Sequence, residues 1–369
     1  MVQRLGIREL AERAKREGAY DLAQGVIDAD LPQVLVDAMR EIPVKEISRY
    51  ENMGGAQKYR EALVYYLESR GWTVSAENVM PVAGAMAGIT SALLTGLKPG
   101  AKVLLPEPFF VYHKLLLETL GYKGVFLHTE IGEEIEWEEV VDKMDDVDAV
   151  VITTPANPTG QTASVETLTK LSEAAKEKDC LLILDEMYRE FIWNNPPKND
   201  AEYQKIDWSK TLLVRSWSKT FAIPGWRIGF VVTSPERIEK MTERHDAFYM
   251  GGSVIAQYAM AKALTENLKE LNRYCRNLRQ TLLLNKEILE KAFTSYGLSP
   301  LPVPATYYML LKHNRPTDMA MVEELIAKKV VTTPANILFD DTSTETGYIR
   351  IHFAVQQETA RKVAEILTT

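Results

Sequence analysis

The sequence predicts an α/β fold: a mostly parallel seven-stranded sheet with helices on both faces, joined to a smaller α+β domain. Three observations carry that expectation. Short apolar runs alternate with helical stretches from about residue 78 to 235. A long helical pattern follows from about 253 to 296, and shorter strand and helix patterns complete the chain. With 369 residues and 46% hydrophobic content, the chain can bury a core of that size.

The expected strands lie near 79–83, 102–105, 123–128, 148–153, 181–185, 211–216 and 227–233, with helical stretches such as 165–178 between them. The run Leu181-Leu182-Ile183-Leu184 is apolar throughout, the pattern of a parallel strand buried on both faces. Pro99-Gly100 turns the chain before a strand, and Asn195-Pro196-Pro197 marks a loop. Between 253 and 296, Leu264, Leu268, Leu271, Leu278, Leu282 and Leu289 recur at core-like spacing. We read this stretch as one continuous helix shared by two domains, its leucine stripe serving packing. The remainder predicts strands near 306–312, 329–333 and 347–353 and helices near 318–327 and 357–367.

Composition excludes several classes of function. The 43 basic and 51 acidic residues give a formal charge of −8 without a basic block, which argues against nucleic acid or an anionic membrane as partner. Cys180 and Cys275 are too few and too far apart for a disulfide framework, so a reducing compartment is expected. Met1 to Tyr20 is charged and amphipathic and lacks the apolar centre of a secretory signal. No apolar run reaches the ~18 residues needed to span a bilayer, and a cytoplasmic location is expected. His113, His128, His245, His313 and His352 lack ligand spacing, so no metal is expected.

The most informative segment is Ser216-Trp217-Ser218-Lys219, followed by Pro224-Gly225-Trp226-Arg227. A lysine amine forms an imine only when its neighbours lower its pKa and hold the carbonyl close. The hydroxyls of Ser216 and Ser218 and the guanidinium of Arg227 suit a phosphate on that carbonyl partner. Upstream, Asp185 ends an apolar strand, where ligands of open α/β sheets bind, and Asn157-Pro158-Thr159-Gly160 follows Ala149-Val150-Val151-Ile152-Thr153. Gly84-Ala85-Met86 stands where a helix begins and its free N–H groups can face an anion. In Tyr348-Ile349-Arg350-Ile351-His352-Phe353, alternation sets Arg350 on the face opposite Ile349, Ile351 and Phe353.

Taken together, these motifs resemble the class I/II aminotransferases, enzymes of fold type I that depend on pyridoxal 5'-phosphate (PLP), over nearly the whole chain. The resemblance implies that Lys219 carries the cofactor as a Schiff base and, once freed by the incoming amino acid, moves the Cα proton. It implies that Asp185 keeps the pyridine nitrogen protonated, that Asn157 and Tyr188 of Asp185-Glu186-Met187-Tyr188 bond the 3'-oxygen, and that Phe110 stacks on the ring, with Phe109 equally available. It also implies that Gly84, Ala85, Met86, Ser216, Ser218 and Arg227 hold the phosphate. Arg350 would grip the substrate α-carboxylate, assisted by Asn157 and the loop at Gly25. Tyr50 would reach the phosphate of a neighbouring subunit, making the active unit a homodimer. The implied division is a large domain of 41–260 and a small domain of 1–40 with 261–369, the cofactor lying between them.

The sequence departs from the family pattern in segments that shape the substrate pocket. The usual Gly-x-Pro near the N-terminus reads Gly25-Val26-Ile27. The usual Pro-x-Gly-x-Phe/Tyr reads Pro304-Ala305-Thr306-Tyr307-Tyr308, and the usual Pro-Gly-x-x-Phe-Gly reads Pro334-Ala335-Asn336-Ile337-Leu338-Phe339-Asp340. Transamination of a free amino acid is the leading expectation. Elimination or ring closure by a divergent lyase or cyclase, for example on a hydroxylated arginine, is the alternative, and a non-catalytic PLP-binding regulator is a remote third.

Overall fold

The computed structural model describes residues 6–194, 196 and 199–369. Seven strands form the main sheet: β1 (Val79–Val82), β2 (Lys102–Pro106), β3 (Lys123–Leu127), β4 (Ala149–Thr153), β5 (Leu181–Asp185), β6 (Thr211–Ser216) and β7 (Gly229–Val232). Their spatial order is β1-β7-β6-β5-β4-β2-β3. Every neighbouring pair is parallel except those made by β7, which runs antiparallel to both β1 and β6. The carboxyl ends of six strands therefore share one edge with the amino end of β7.

Alternate side chains of each central strand enter opposite cores. Leu182 and Leu184 pack in one apolar cluster with Leu63, Leu67 and Met260, and Leu181 and Ile183 pack in another with Ile89, Leu93 and Met241. These side chains are almost fully excluded from solvent, and each buried leucine contributes roughly 1.5–3 kcal/mol. The main helices are α1 (Ile7–Glu17), α2 (Ala85–Gly96), α3 (Val254–Glu266) and α4 (Leu268–Ser295).

A third cluster joins Leu10 and Leu22 near the N-terminus to Leu278, Leu282, Leu289, Met309, Leu325 and Ile351. It lies against a four-stranded antiparallel sheet in the order Thr333–Pro334, β9 (Tyr348–His352), β8 (Tyr308–Lys312) and Ser299–Pro300. The N-terminal segment is fixed there by a parallel pairing of Tyr20–Asp21 with Val330–Val331. The α4 stripe passes from one cluster to another, since Leu271 belongs to the first and Leu278 to the third.

Several expected elements are corrected. The single helix over 253–296 is two, α3 and α4, broken at Asn267, whose φ of −132° and ψ of 27° are not helical. Asparagine competes with the helical backbone for hydrogen bonds, and Leu268 just after it is only half-buried. The last strand of the main sheet starts at Gly229 rather than 227, because Arg227 is left-handed at φ 53° and ψ 56°. Likewise Thr306, at φ 66°, delays β8 to Tyr308, and the strand expected over 329–333 is two short ones, Val330–Val331 and Thr333–Pro334. Of the expected turn at 195–197, Asn195 and Pro197 lie outside the described residues, as do Met1 to Leu5. Among the described residues no helix is long and apolar enough to cross a membrane.

Candidate active site

The shared edge of the sheet brings Lys219, Asp185 and Tyr188 to one cavity, where Arg350 of β9 joins them. Lys219 sits in the short helix Trp217–Thr220 directly after β6, whose first turn is capped by the Ser216 hydroxyl accepting from the Ser218 N–H at 3.2 Å. Its Nζ donates to the Gly25 carbonyl oxygen at 2.7 Å. Burial lowers its pKa below the ordinary lysine value; the Tyr308 hydroxyl opposes that effect, while Arg350 and Arg227 reinforce it. An amine with a depressed pKa is the form that attacks a carbonyl.

Asp185 ends β5 and is buried, with Oδ1 accepting from the Met187 N–H at 3.2 Å. Its Oδ2 lies 3.2 Å from Nε2 of buried His113, without the alignment of a hydrogen bond. Asn157 follows β4 and accepts from Arg350 Nη1 at 3.0 Å. Arg350 Nη2 donates to the Ala23 carbonyl at 2.7 Å, and the guanidinium carbon stands 4.4 Å from the centroid of the Tyr308 ring. Arg350 is 1% exposed, and its Nε has no hydrogen-bond partner among the described residues. The Tyr188 hydroxyl lies 3.1 Å from that of Tyr308, and burial pushes its pKa well above the ordinary tyrosine value.

A cavity of about 300 Å³ opens among these groups, lined by Lys219, Asp185, Tyr188, Arg350, Arg227, Phe110, Ala85, Met86 and Gly25. Phe110 lines it, whereas Phe109 packs in the core against Phe126. Gly84, Asn157, Ser216, Ser218 and Tyr50 are not among the lining residues. The two serine hydroxyls face each other at 2.9 Å, and Ser216 donates to the Ile228 carbonyl at 2.9 Å. Tyr50 is 81% exposed. The described residues contain no cluster of three or more metal-ligating side chains.

This chemistry fits PLP. Gly84, at φ 88°, caps α2, and a Cβ there would lie 2.5 Å from Arg227 Nη2. The cradle left open by the missing side chain adjoins a guanidinium and the first N–H groups of a helix, which a phosphate can fill. Asp185 is the one carboxylate on the wall and could hold a pyridinium nitrogen. Nε of Arg350 has no partner among the described residues, which leaves that N–H for a carboxylate.

Sequence reasoning missed Ile7, Arg8, Gln24, Thr153, Met187 and Pro224 as lining residues, and treated Tyr308 only as part of a departing segment. A signal existed for Tyr308: it stands two residues after a threonine, Thr306, where the family has glycine. Thr306 keeps the left-handed backbone at φ 66°, and its Oγ1 accepts from the Tyr308 N–H at 3.2 Å.

Comparison with known proteins agrees with this geometry. Residues 17–367 match the family model for aminotransferase class I and II, and the chain belongs to that family. It is 28% identical to an aspartate aminotransferase of Pyrococcus horikoshii, over 97% of this chain and 92% of that protein. It is 27% identical to aromatic-amino-acid aminotransferase 2 of Thermococcus litoralis, over 97% and 93%. Its fold superimposes on a Thermus thermophilus aspartate aminotransferase double mutant with a TM-score of 0.88 at 24% identity, covering 100% of this chain and 96% of that one. On an Escherichia coli protein described as a methionine aminotransferase the TM-score is 0.88 at 22% identity, covering 100% and 98%. The chain is thus a PLP-dependent aminotransferase of fold type I. The eliminating or ring-closing alternative gains no support from these relatives.

Proposed function

We propose that Lys219, Asp185, Asn157, Tyr188, Arg227 and Arg350 form the working site for reversible transfer of an amino group between a free α-amino acid and a keto acid. The observation that carries this reading is that one cavity holds a half-buried lysine of lowered pKa and a buried arginine whose Nε has no partner among the described residues. The bound cofactor supplies an aldehyde for the lysine and an electron sink for the charge left when the substrate Cα–H bond breaks.

Arg350 receives the α-carboxylate and fixes the amino acid in one orientation, which favours the reaction by removing rotational freedom. Asn157 holds Nη1 of that arginine while the Tyr308 ring supports its face. When the substrate amine replaces it, the Lys219 amine is neutral and close to the Cα proton. Its Nζ would be the base that accepts that proton and the acid that gives it back. Asp185 would keep a proton on the cofactor's ring nitrogen, and Tyr188 with Asn157 would hold its 3'-oxygen. Arg227, Ala85 and Met86 hold the phosphate, with Ser216 and Ser218 as the turn that aims Lys219.

Tyr50, strongly exposed and absent from the chain's own cavity, suits a reach into a neighbouring subunit, so the active unit is proposed as a homodimer in the cytoplasm. Residues 41–260 are proposed as the large domain, and 1–40 with 261–369 as the small one.

The test is a single-turnover mixture of holoenzyme and amino acids without keto acid. One equivalent of keto acid, with loss of visible absorbance restored by a second keto acid, is expected. Continuous turnover without any keto acid would overturn the transamination reading.

A further inference from the structure

Arg8 lines the same cavity as Lys219 and Arg350, yet none of the roles above uses it. Its position follows from α1, where Ile7, Leu10, Ala11 and Ala14 are buried and anchor one face. Arg8, next to the first anchor, is exposed and lines the cavity with its guanidinium carbon 5.6 Å from the centroid of Tyr112, another lining residue. Among the described residues that ring is its one recorded partner. Arg13, one and a half turns on, is by contrast tied to Glu17 at 2.8 Å and to Glu323 at 2.5 Å. Glu12, at helical spacing from Arg8, forms no ion pair with it.

The cavity wall carries four cationic side chains, Arg8, Lys219, Arg227 and Arg350, against one acidic side chain, Asp185. With the proposed roles in place, a phosphate faces Arg227, an α-carboxylate faces Arg350, and Asp185 faces a ring nitrogen. Lys219 is the amine assigned to the carbonyl and to the Cα proton, and is neutral while substrate is bound. Arg8 alone is left without an anion, its exposed guanidinium lining the cavity with a planar fork that suits a carboxylate.

We propose that Arg8 is a specificity-determining residue that pairs with a carboxylate on the substrate side chain, so that dicarboxylic amino acids are the preferred substrate class. This inference rests on the transamination reading. The Gln24 side chain, on the same wall, can add a donor from its amide. Arg8 touches no reacting atom, and its effect falls on binding of the side chain rather than on proton movement.

The experiment compares Arg8→Gln and Arg8→Lys holoenzymes with the parent on L-glutamate, L-aspartate, L-glutamine and L-phenylalanine. Arg8→Gln is expected to lower kcat/KM for the two dicarboxylic acids by ~10-fold or more, mostly through KM, the scale of one lost charge-assisted pair. The neutral substrates are expected to change by less than about threefold, and Arg8→Lys to retain most of the acidic preference. Cofactor absorbance and melting temperature serve as fold controls and are expected to be unchanged. Equal losses on both classes, or no loss on the acids, would overturn the role of Arg8. A parent enzyme that transaminates neutral substrates but not the acids would overturn it too, leaving the transamination reading standing. Only a parent inactive on every amino acid would remove both.

Discussion

The guanidinium of Arg350 rests 4.4 Å from the centroid of the Tyr308 ring, and the hydroxyl of that ring lies 3.1 Å from Tyr188. One tyrosine thus supports the proposed carboxylate grip and positions the residue expected to bond the cofactor. It also faces Gly25, where a Cβ would collide with its hydroxyl. Tyr308→Leu removes the aromatic face, worth about 2 kcal/mol to a desolvated arginine. The amino-acid KM is expected to rise on the order of tenfold while the holoenzyme keeps its visible absorbance. Steady-state kinetics check it; an unchanged KM would mean that Asn157 and Ala23 hold Arg350 unaided.

Gly84 concerns the cofactor rather than the substrate. Alanine there would press on Arg227 and strain a backbone at φ 88°, so Gly84→Ala is expected to weaken PLP retention. The backbone penalty is about 1–2 kcal/mol, and displacement of the guanidinium adds to it. Equilibrium dialysis of PLP should show at least a tenfold weaker dissociation constant, on the scale of about 1.4 kcal/mol per decade. Equal affinity would place the phosphate elsewhere.

Lys219 gives a pH prediction. Burial holds its pKa below the ordinary 10.5, so the neutral amine appears as pH rises through that lowered value. The rate at which apoenzyme captures PLP, measured by borohydride trapping, is expected to rise with pH and level off before an ordinary lysine would. Arg350→Leu removes a cation that depresses the amine, and the inflection should move upward. Burial remains the larger cause, so the inflection should stay below 10.5. An inflection at the ordinary value would remove the activated-lysine reading.

How much of this could be read in advance depends on range along the chain. β4, β5 and β6 are legible because a buried parallel strand needs an uninterrupted apolar run, and Asp185 stands out as the charge that ends one. Lys219 and Arg227 lie eight residues apart, and their chemistry shows in a single motif. The bond from Arg350 to Asn157 spans 193 positions, and no local pattern reports it. Arg8 is hidden for another reason. In a helix crowded with charges, only the fold tells which arginine lines a cavity. The left-handed Thr306 and Arg227 also mislead, since neither is the glycine that such backbone favours.

Behind Asp185 lies a buried ionic network that the sequence did not announce. Asp200 accepts from Arg215 Nη1 at 3.0 Å, Arg189 Nη2 at 2.7 Å and Arg70 Nε at 3.1 Å. Glu186, next to Asp185 in the chain, accepts from Arg215 Nη2 at 2.7 Å. Burial would raise the Asp200 carboxyl, but Arg215, Arg70 and Arg189 hold it well below the ordinary range. Asp200→Asn leaves buried guanidinium groups under-compensated, a change that costs about 3–5 kcal/mol. Urea denaturation of the apoenzyme at neutral pH checks it, and a loss under about 1 kcal/mol would mean that Glu186 and Glu190 suffice.

His352 predicts how the fold responds to acid. It is 2% exposed, neither ring nitrogen has an aligned hydrogen-bond partner among the described residues, and it lies two residues beyond Arg350 on β9. Burial, reinforced by the Arg350 and Lys219 cations, lowers its pKa from 6.5 to about 3. The folded protein therefore keeps the ring neutral at pH values where the unfolded chain protonates it. Its contribution to stability is complete above 6.5 and declines as pH falls toward 3, at up to about 1.4 kcal/mol per pH unit. Buried His245, lowered to about 4, adds a loss of the same sign between 6.5 and 4. The apoenzyme melting temperature is thus expected to fall between pH 7 and 5, and His352→Gln is expected to make that slope shallower, as is His245→Gln independently. A parent slope that both variants leave intact would assign the acid sensitivity to other groups.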